Sequence, residues 1–372
     1  MRPKILLLFE YGTLNGGELS LLAMLECLGR EEFDFVAAAP ETGRLIPRLQ
    51  HLDVTTIPLN LRNTQGQKHS IDHINAHLIH LVKQVSPDLI HANSLAMGRM
   101  LGRIAPSLSI PCTAHLRDII KLSKAAIADL NDNTALIAVS RATQQFHQQQ
   151  GLHSDKVQVI HNGVDTDVFR PGQATSGLRR ELGLKDSDML VANIGQICLR
   201  KGQTLLAQAA ASLADDFPEA HTLFVGERYS QKQESIDYEN AIRETFHDVG
   251  IENRLHCLGF REDIPQLLTE IDLLVHTARQ EPLGRVLLEA TSCACPIIAT
   301  DVGGTTEIVS HHSSALLIPP DNLGALTAAM RQMFKEPELR SRLGRQARQG
   351  TIKHFSLPAA TERVHSFWKS LL

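Results

Sequence analysis

The chain of 372 residues predicts an α/β protein made of two doubly wound parallel-sheet domains. Most of its strand candidates are apolar on consecutive positions, which is typical of strands covered by helices on both faces. These strands alternate with helix-length segments, which indicates α/β units. A turn-rich stretch divides the chain into halves of similar size, and the length suits two domains of about 150 residues each.

The strand candidates follow the chain in two series. The first series is 5–9, 35–39, 54–57, 89–91, 112–114, 136–139 and 157–160. The second series is 190–194, 222–225, 255–258, 273–276, 296–299 and 315–318. Helices are predicted over 19–28 and 203–213, and another is predicted to begin near Pro282 or Gly284.

Turn residues mark the domain boundary. Residues 162–177 carry glycines and Pro171 without helical or strand periodicity. We therefore predict an N-terminal domain over 1–165, a linker over 166–187 and a C-terminal domain over 188–355. Residues 356–372 read as a helix that could pack back on the N-terminal domain. Two such domains should face a cleft at the carboxyl ends of their strands, where ligands usually bind.

Composition excludes several classes of function. The 37 Lys and Arg against 41 Asp and Glu give a net charge of −4, which argues against nucleic acid as the main partner. Six cysteines are too few for a disulfide scaffold and fit a reducing compartment. No apolar run approaches the ~20 residues of a membrane helix. We expect a cytoplasmic protein with membrane contact at most peripheral, at the inner face.

The strongest motif runs from Glu281 to Glu289. It follows an apolar strand and crosses a predicted helix start, which is an anion site because the first N–H groups of a helix have no partner within it. Glu281 could accept hydrogen bonds from sugar hydroxyls, and Glu289 lies in an apolar run where a buried carboxylate needs partners such as ribose hydroxyls. The ordinary alternative is an i,i+4 pair between Arg285 and Glu289.

Three further motifs follow strands. Arg200 and Lys201 precede a helix start, where two cations oppose the helix dipole unless a bound pyrophosphate neutralises them; solvated loop cations are the alternative. Gly16 and Gly17 permit close approach of a ligand, or form a plain turn. His115 ends an apolar run and either lines the cleft or is satisfied by local backbone.

Taken together, these motifs resemble glycosyltransferase family 4. Glu281 to Glu289 is similar to the E-x7-E motif of retaining glycosyltransferases, and residues 195–202 are similar to the family's G-R-x-x-x-x-K-G element. Other matching residues are Val139, Ser140, Asn162, Gly163, Val164, Asp165, Phe169, Gly259, Asp263, Gly303, Gly304 and Glu307. The resemblance implies a GT-B fold, in which two Rossmann-like domains face a cleft. One departure is Gln196, which stands where many members have Arg.

The resemblance also implies roles for residues. Lys201 would bind the donor diphosphate, Glu289 the ribose and Glu281 the transferred sugar, while His115 would contact the sugar near the reacting centre. His115, Glu281 and Lys201 are the implied catalytic residues. Further donor contacts are implied for Gly17, Gln196, Arg200, Phe260, Arg261, Leu283, Gly284, Arg285 and Val286. The acceptor side would include Gly16, Gly17 and His115.

The predicted function is transfer of a sugar, with retention, from a nucleotide-diphospho-sugar to a glycan, lipid-linked or small-molecule acceptor. No metal and no cofactor are expected, because Lys201 and a helix N-terminus can stabilise the leaving diphosphate. Two D-x-D triplets, at 165–167 and 186–188, read as turns. A histidine series at 69, 73, 77 and 80 reads as the polar face of a helix. A sugar-nucleotide epimerase and a catalytically weak sugar-nucleotide-binding protein remain alternatives.

Overall fold

A computed structural model describes residues 2–29, 31–172 and 177–372. The chain divides into two compact units. The N-terminal unit comprises Met1–Gly163 and Leu357–Leu372, and the C-terminal unit comprises Val164–Ser356. Residues 166–187, predicted as the linker, are assigned to the C-terminal unit, and residues 173–176 of that segment lie outside the described residues.

The N-terminal unit alternates strands and helices until its last helix, which comes from the chain's C-terminus. Its elements are β1 (Lys4–Leu8), α1 (Gly16–Leu28), β2 (Asp34–Ala39), α2 (Leu45–His51), β3 (Thr55–Pro58), α3 (Ile71–Val85), β4 (Leu89–Ala92), α4 (Leu95–Ile104), β5 (Cys112–Leu116), α5 (Lys124–Asn131), β6 (Ala135–Ala138), α6 (Arg141–Gln148), β7 (Val157–Val159) and α15 (Leu357–Lys369).

The C-terminal unit repeats this alternation. Its elements are α7 (Gly177–Glu181), β8 (Met189–Ile194), α8 (Gln203–Ser212), β9 (Ala220–Val225), α9 (Gln233–His247), β10 (Leu255–Gly259), α10 (Ile264–Glu270), β11 (Leu273–His276), α11 (Arg285–Ser292), β12 (Ile297–Thr300), α12 (Thr305–Ile308), β13 (Leu316–Ile318), α13 (Leu323–Lys335) and α14 (Pro337–His354).

Both sheets are parallel and doubly wound, as predicted. Across the described part of the chain, the first has seven strands in the order β3-β2-β1-β4-β5-β6-β7, and the second has six in the order β10-β9-β8-β11-β12-β13. The strand order therefore reverses between β1 and β4 in one unit and between β8 and β11 in the other. Crevices outside the carboxyl ends of strands at such reversals are the usual ligand sites of this fold.

The cores explain the apolar strands. In β1, Ile5 and Leu7 belong to the cluster under α1, α2 and α15, whereas Leu6 and Leu8 belong to the cluster under α3, α4 and α5. Successive side chains of a strand point to opposite faces, so a strand covered on both sides must be apolar throughout.

The predicted start of the first helix at residue 19 is wrong. Helix α1 begins at Gly16, because Asn15 caps it and the Glu18 carboxylate accepts a hydrogen bond from the Asn15 backbone N–H at 3.1 Å. This reciprocal arrangement is a capping box. Both predicted acceptor-side glycines are thus the first two residues of α1.

Candidate active site

The turn that carries Lys201 lies after β8, at the strand-order reversal of the C-terminal unit. Residues Leu199–Lys201 form a 3-10 turn, and the Thr277 hydroxyl donates to the Lys201 carbonyl at 3.1 Å. Gly202 follows with a φ of +64°, and a Cβ there would lie 2.2 Å from the Thr277 carbonyl oxygen. Only glycine therefore lets this turn pack against the segment that leaves β11.

The segment that carries Glu281 is fixed by the Gly-rich turn after β12. The Gly304 N–H donates to the Glu281 carbonyl at 2.9 Å. A Cβ on Gly304 would lie 2.4 Å from the Pro282 carbonyl oxygen, so a larger residue would push the two segments apart. Gly304 of the predicted motif thus supports the Glu281 loop.

These two segments bring Lys201 and Glu281 into direct contact. The distance from Lys201 Nζ to Glu281 Oε2 is 2.5 Å, and the two side chains are 13% and 8% exposed. His276, the last residue of β11 and fully enclosed, lies 2.9 Å from the same carboxylate oxygen through its Nε2. An ionised carboxylate only accepts, so the neutral ring carries its proton on Nε2 and donates to Glu281.

Opposed effects set the charge states in this cluster. Burial alone would raise the pKa of the Glu281 carboxyl, but the Lys201 ammonium and the His276 hydrogen bond outweigh burial and hold the pKa below its usual range. Burial, followed by the Lys201 charge, lowers the pKa of His276. The cluster at neutral pH is therefore an ion pair supported by a neutral histidine.

Helix α11 starts beside this cluster. Gly284 caps it with a φ of +101°, and Arg285 Nε donates to Glu289 Oε1 at 2.6 Å. Glu289 is buried, as predicted, but Arg285 supplies a partner for its carboxylate. The i,i+4 pair of the alternative interpretation is therefore present, and the predicted contact of Glu289 with ribose stays a prediction.

The other predicted donor residues of the C-terminal unit have varied surroundings. Arg200 Nη1 donates to the Gln280 carbonyl at 3.1 Å, which holds the arginine against the Glu281 loop. The Gln196 carbonyl accepts from Gln203 at 2.8 Å. Arg261 follows β10 and forms a fork with Glu181 and Asp263, while Phe260 is half-buried. Leu283 is buried and Val286 half-buried at the start of α11.

In the N-terminal unit, His115 and Gly17 meet around Arg117. His115 lies on β5 and is buried, with its Nδ1 2.9 Å from Arg117 Nη2. A Cβ on Gly17 would lie 2.8 Å from Arg117 Cδ, so the second glycine of α1 leaves room for this arginine. The alternative interpretation expected a local backbone partner for His115. Its Nδ1 instead faces the Arg117 side chain.

Sequence reasoning gave no role to His276 or Arg117. The sequence does carry a signal for each residue. His276 ends an apolar strand five positions before Glu281, and Arg117 lies two positions after His115, just past the end of β5. Side chains two apart along an extended chain share a face.

The first D-x-D triplet forms a turn, and most of the histidine series lies on one helix. The Asp165 carboxylate accepts from the backbone N–H groups of Asp167 and Val168 at 2.9 and 3.1 Å, which forms a turn. His73, His77 and His80 lie on α3, with half-buried His69 just before it. In residues 2–29, 31–172 and 177–372, no three His, Cys, Asp or Glu side chains group as metal ligands would.

Within the described residues, none of the helices combines the length and the apolar character that crossing a bilayer requires.

Sequence and fold comparisons agree on one family. The model of Glycosyltransferase Family 4 matches residues 14–168, and that of Glycosyl transferases group 1 matches residues 176–350. A UDP-Gal:alpha-D-GlcNAc-diphosphoundecaprenol alpha-1,3-galactosyltransferase of Escherichia coli is 25% identical over 380 residues, covering 95% of this chain and 94% of that protein.

Solved structures show a similar fold. HepE of Anabaena, crystallised in complex with UDP and glucose, is 25% identical and superposes with a TM-score of 0.88 over 100% of both chains. WaaG, a glycosyltransferase involved in lipopolysaccharide biosynthesis, is similar in fold, with a TM-score of 0.74 at 16% identity over 97% of this chain and 99% of that chain.

Proposed function

The chain belongs to the glycosyltransferases of family 4 and group 1, and from that premise we propose that it transfers a sugar, with retention, from a nucleotide-diphospho-sugar. Its two doubly wound sheets make it a GT-B glycosyltransferase, as the sequence predicts. We further propose that the acceptor is a glycan, a lipid-linked sugar or a small molecule, and that no metal takes part.

One observation carries this proposal: Lys201 Nζ and Glu281 Oε2 are 2.5 Å apart at the strand-order reversal of the C-terminal unit. Residues 80 positions apart thus form one cluster where the fold places ligands. HepE, which superposes on this chain, binds UDP and glucose. The cluster offers a cation for a diphosphate and a carboxylate for sugar hydroxyls.

The charges of the cluster suit departure of a nucleoside diphosphate. As the bond between the sugar carbon and the phosphate oxygen breaks, negative charge grows on the diphosphate. The Lys201 ammonium stabilises that charge, together with the first N–H groups of α11, whose dipole is positive at this end. These groups perform the task that a divalent cation performs elsewhere, which supports a metal-independent transfer.

Glu281 is better suited to binding than to attack. Its pKa is held below the usual range by Lys201 and His276, against the opposing effect of burial, so its carboxylate is a weak base and a weak nucleophile. We propose that the acceptor oxygen instead forms its bond on the face that the diphosphate leaves, and that its proton passes to a departing phosphate oxygen. Glu281 holds sugar hydroxyls meanwhile.

Donor binding tests this assignment. Isothermal titration calorimetry with UDP-, GDP- and ADP-sugars should identify one donor class, and Lys201→Ala or Glu289→Ala should abolish its binding. Arg331→Ala is the matched control, because Arg331 pairs with Asp216 at an exposed position of the same unit and should leave affinity unchanged. Unaltered affinity in Lys201→Ala would refute the assignment.

The reaction itself needs a separate experiment. With the donor identified, NMR of the product of a matched acceptor should show the anomeric configuration of the donor, in the presence of a chelator as well as in its absence. Inverted product would contradict retention, and chelator-sensitive turnover would contradict metal independence. Conversion of the donor sugar without any acceptor would instead indicate an epimerase.

A further inference from the structure

Arg117 binds three side chains of the N-terminal unit at once. Its Nε donates to the Asn93 carbonyl at 3.1 Å, and its Nη2 donates to Asn93 Oδ1 at 2.9 Å. Its Nη1 donates to Asn162 Oδ1 at 3.0 Å, and the same Nη2 lies 2.9 Å from His115 Nδ1. Asn93 directly follows β4 and His115 is the penultimate residue of β5, next to the strand-order reversal of this sheet.

This fork settles where the proton of His115 resides. A guanidinium has five N–H donors and no acceptor, so the ring nitrogen that faces it must offer a lone pair. Nδ1 of His115 is therefore unprotonated, and the neutral ring carries its hydrogen on Nε2. That Nε2 has no hydrogen-bond partner in the described part of the chain, although His115 is only 5% exposed.

The same logic orients Asn93. Its Oδ1 accepts two hydrogen bonds from Arg117, at 3.2 Å from Nε and 2.9 Å from Nη2. Its Nδ2 is the remaining donor, and it too lacks a partner among the described residues while Asn93 is 1% exposed. Buried donors without partners are costly, which makes two of them around one arginine a feature that a ligand would satisfy.

From this arrangement we propose that Arg117 is a positioning residue: it fixes His115 as a neutral Nε2–H donor and turns the Asn93 amide so that both offer hydrogens to an oxygen of the substrate. The proposal rests on the proposed function for the identity of that substrate. The recognised chemistry is an oxygen that accepts hydrogen bonds, as sugar hydroxyls and phosphates do. Arg117 itself need not touch the substrate.

The surroundings of His115 favour the neutral ring. Burial, then the positive charge of Arg117, then His91 lower the pKa of His115 well below its usual range. His91 on β4 lies edge-on with ring centroids 5.8 Å apart, and its own pKa is lowered to about 3 by burial. Glu18 on α1 interacts with Arg117, and His161 lines the cavity next to His115.

A small cavity adjoins the histidine. It measures about 20 Å³ and is lined by His115, Arg117, Asn162 and Ser20, along with apolar residues of α1 and α15. A space of this size admits a single water-sized group and not a sugar ring. Asn93 is not among its lining residues, so this cavity adjoins His115 and Arg117 but not the Asn93 amide.

Nitrogen-15 NMR of the full chain tests the proposal without any substrate. In protein labelled on histidine, the His115 signals, assigned by their loss in His115→Gln, should show a protonated Nε2 and an unprotonated Nδ1 from pH 8 to pH 5. A protonated Nδ1, or an imidazolium at neutral pH, would overturn the proposal even if every variant of Arg117 failed to fold.

Variants separate positioning from support of the fold. In Arg117→Met, the His115 signals should become those of mixed tautomers, and kcat/KM for transfer should fall by about 10- to 100-fold, as for a lost charged hydrogen bond. Arg103→Met is the matched control, since Arg103 pairs with Asp129 at 3.0 Å in the same unit and should leave the tautomer unchanged. A single Nε2–H tautomer in folded Arg117→Met would refute the role of Arg117, whereas absence of transfer in the unaltered chain would refute only the proposed function.

Discussion

Removing either partner of the Lys201–Glu281 pair should destabilise the C-terminal unit, while removing both should cost much less than the sum. Two unit charges 2.5 Å apart attract by roughly 7 kcal/mol at an effective dielectric constant of 20. Desolvation of two side chains that are only 13% and 8% exposed offsets several kcal/mol of this. We therefore expect a net coupling of about 3 kcal/mol between Lys201 and Glu281.

The cycle compares Lys201→Met, Glu281→Gln and the double variant. Each single change should cost about 3 kcal/mol, because it leaves the other group buried without its counter-charge. The double variant should recover the coupling, since neither charge remains. The readout is amide hydrogen exchange in peptides of β8 and β11, which reports the local free energy of opening. The single tryptophan lies in the N-terminal unit, so its fluorescence should not change.

The stability that Glu281 contributes to the C-terminal unit should depend on pH. The Glu281 pKa is lowered in the folded protein, so its contribution to stability is complete above the unfolded value of 4.5 and is lost as the pH falls below that value. The double variant should lack this loss. Costs that add within about 0.5 kcal/mol in the cycle would refute the coupling, and with it the electrostatic account of the cluster.

Three other changes test separate parts of the structure. The pKa of buried His91 is lowered to about 3, first by burial and then by the charge of Arg117. The free energy of unfolding should therefore fall by about 1.4 kcal/mol for each pH unit below about pH 6.5, because the unfolded chain binds a proton there that the folded protein does not. His91→Gln should remove that slope from thermal unfolding followed by tryptophan fluorescence, and an unchanged slope would contradict the prediction. Gly202→Ala should weaken donor binding in calorimetry at least tenfold, because its Cβ would lie 2.2 Å from the Thr277 carbonyl oxygen and displace the lysine turn; equal affinity would show that the turn adapts. The Glu270 carboxylate accepts hydrogen bonds from the first two N–H groups of α7 at 3.1 and 2.7 Å. Glu270→Gln should therefore lower the free energy of local opening of α7, measured by amide hydrogen exchange, by about 1–3 kcal/mol. Glu262→Gln, at an exposed position, should leave it unchanged.

The sheets could be predicted from the sequence because their strands are covered on both faces. Most strands appeared as apolar runs, and every predicted strand overlaps one in the structure, with most ends agreeing within two residues. The start of α1 was missed because its first turn is polar and glycine-rich. The readable signal there was the spacing of Asn15 and Glu18, which is that of a capping box.

The candidate site was predictable in location and less so in its contacts. Lys201 and Glu281 each follow a strand, and parallel strands bring such residues to one edge of the sheet. Sequence periodicity does not report which side chains pair across that edge, so neither the Lys201–Glu281 contact nor the His276 bond was foreseen. The roles of the donor and acceptor residues remain predictions.

The return of α15 to the N-terminal unit has a consequence for synthesis on the ribosome. Trp368 is fully buried there, with ring centroids 6.0 Å from Phe33 and 6.1 Å from Phe35. Translation proceeds from the N-terminus, so the N-terminal unit begins to emerge first. Its core can close only after α15 has been synthesised, which is later than the C-terminal unit. A nascent chain therefore presents an uncovered apolar groove during most of its elongation, which is a binding surface for chaperones. Removal of Leu357–Leu372 should impair this unit and leave the C-terminal unit folded.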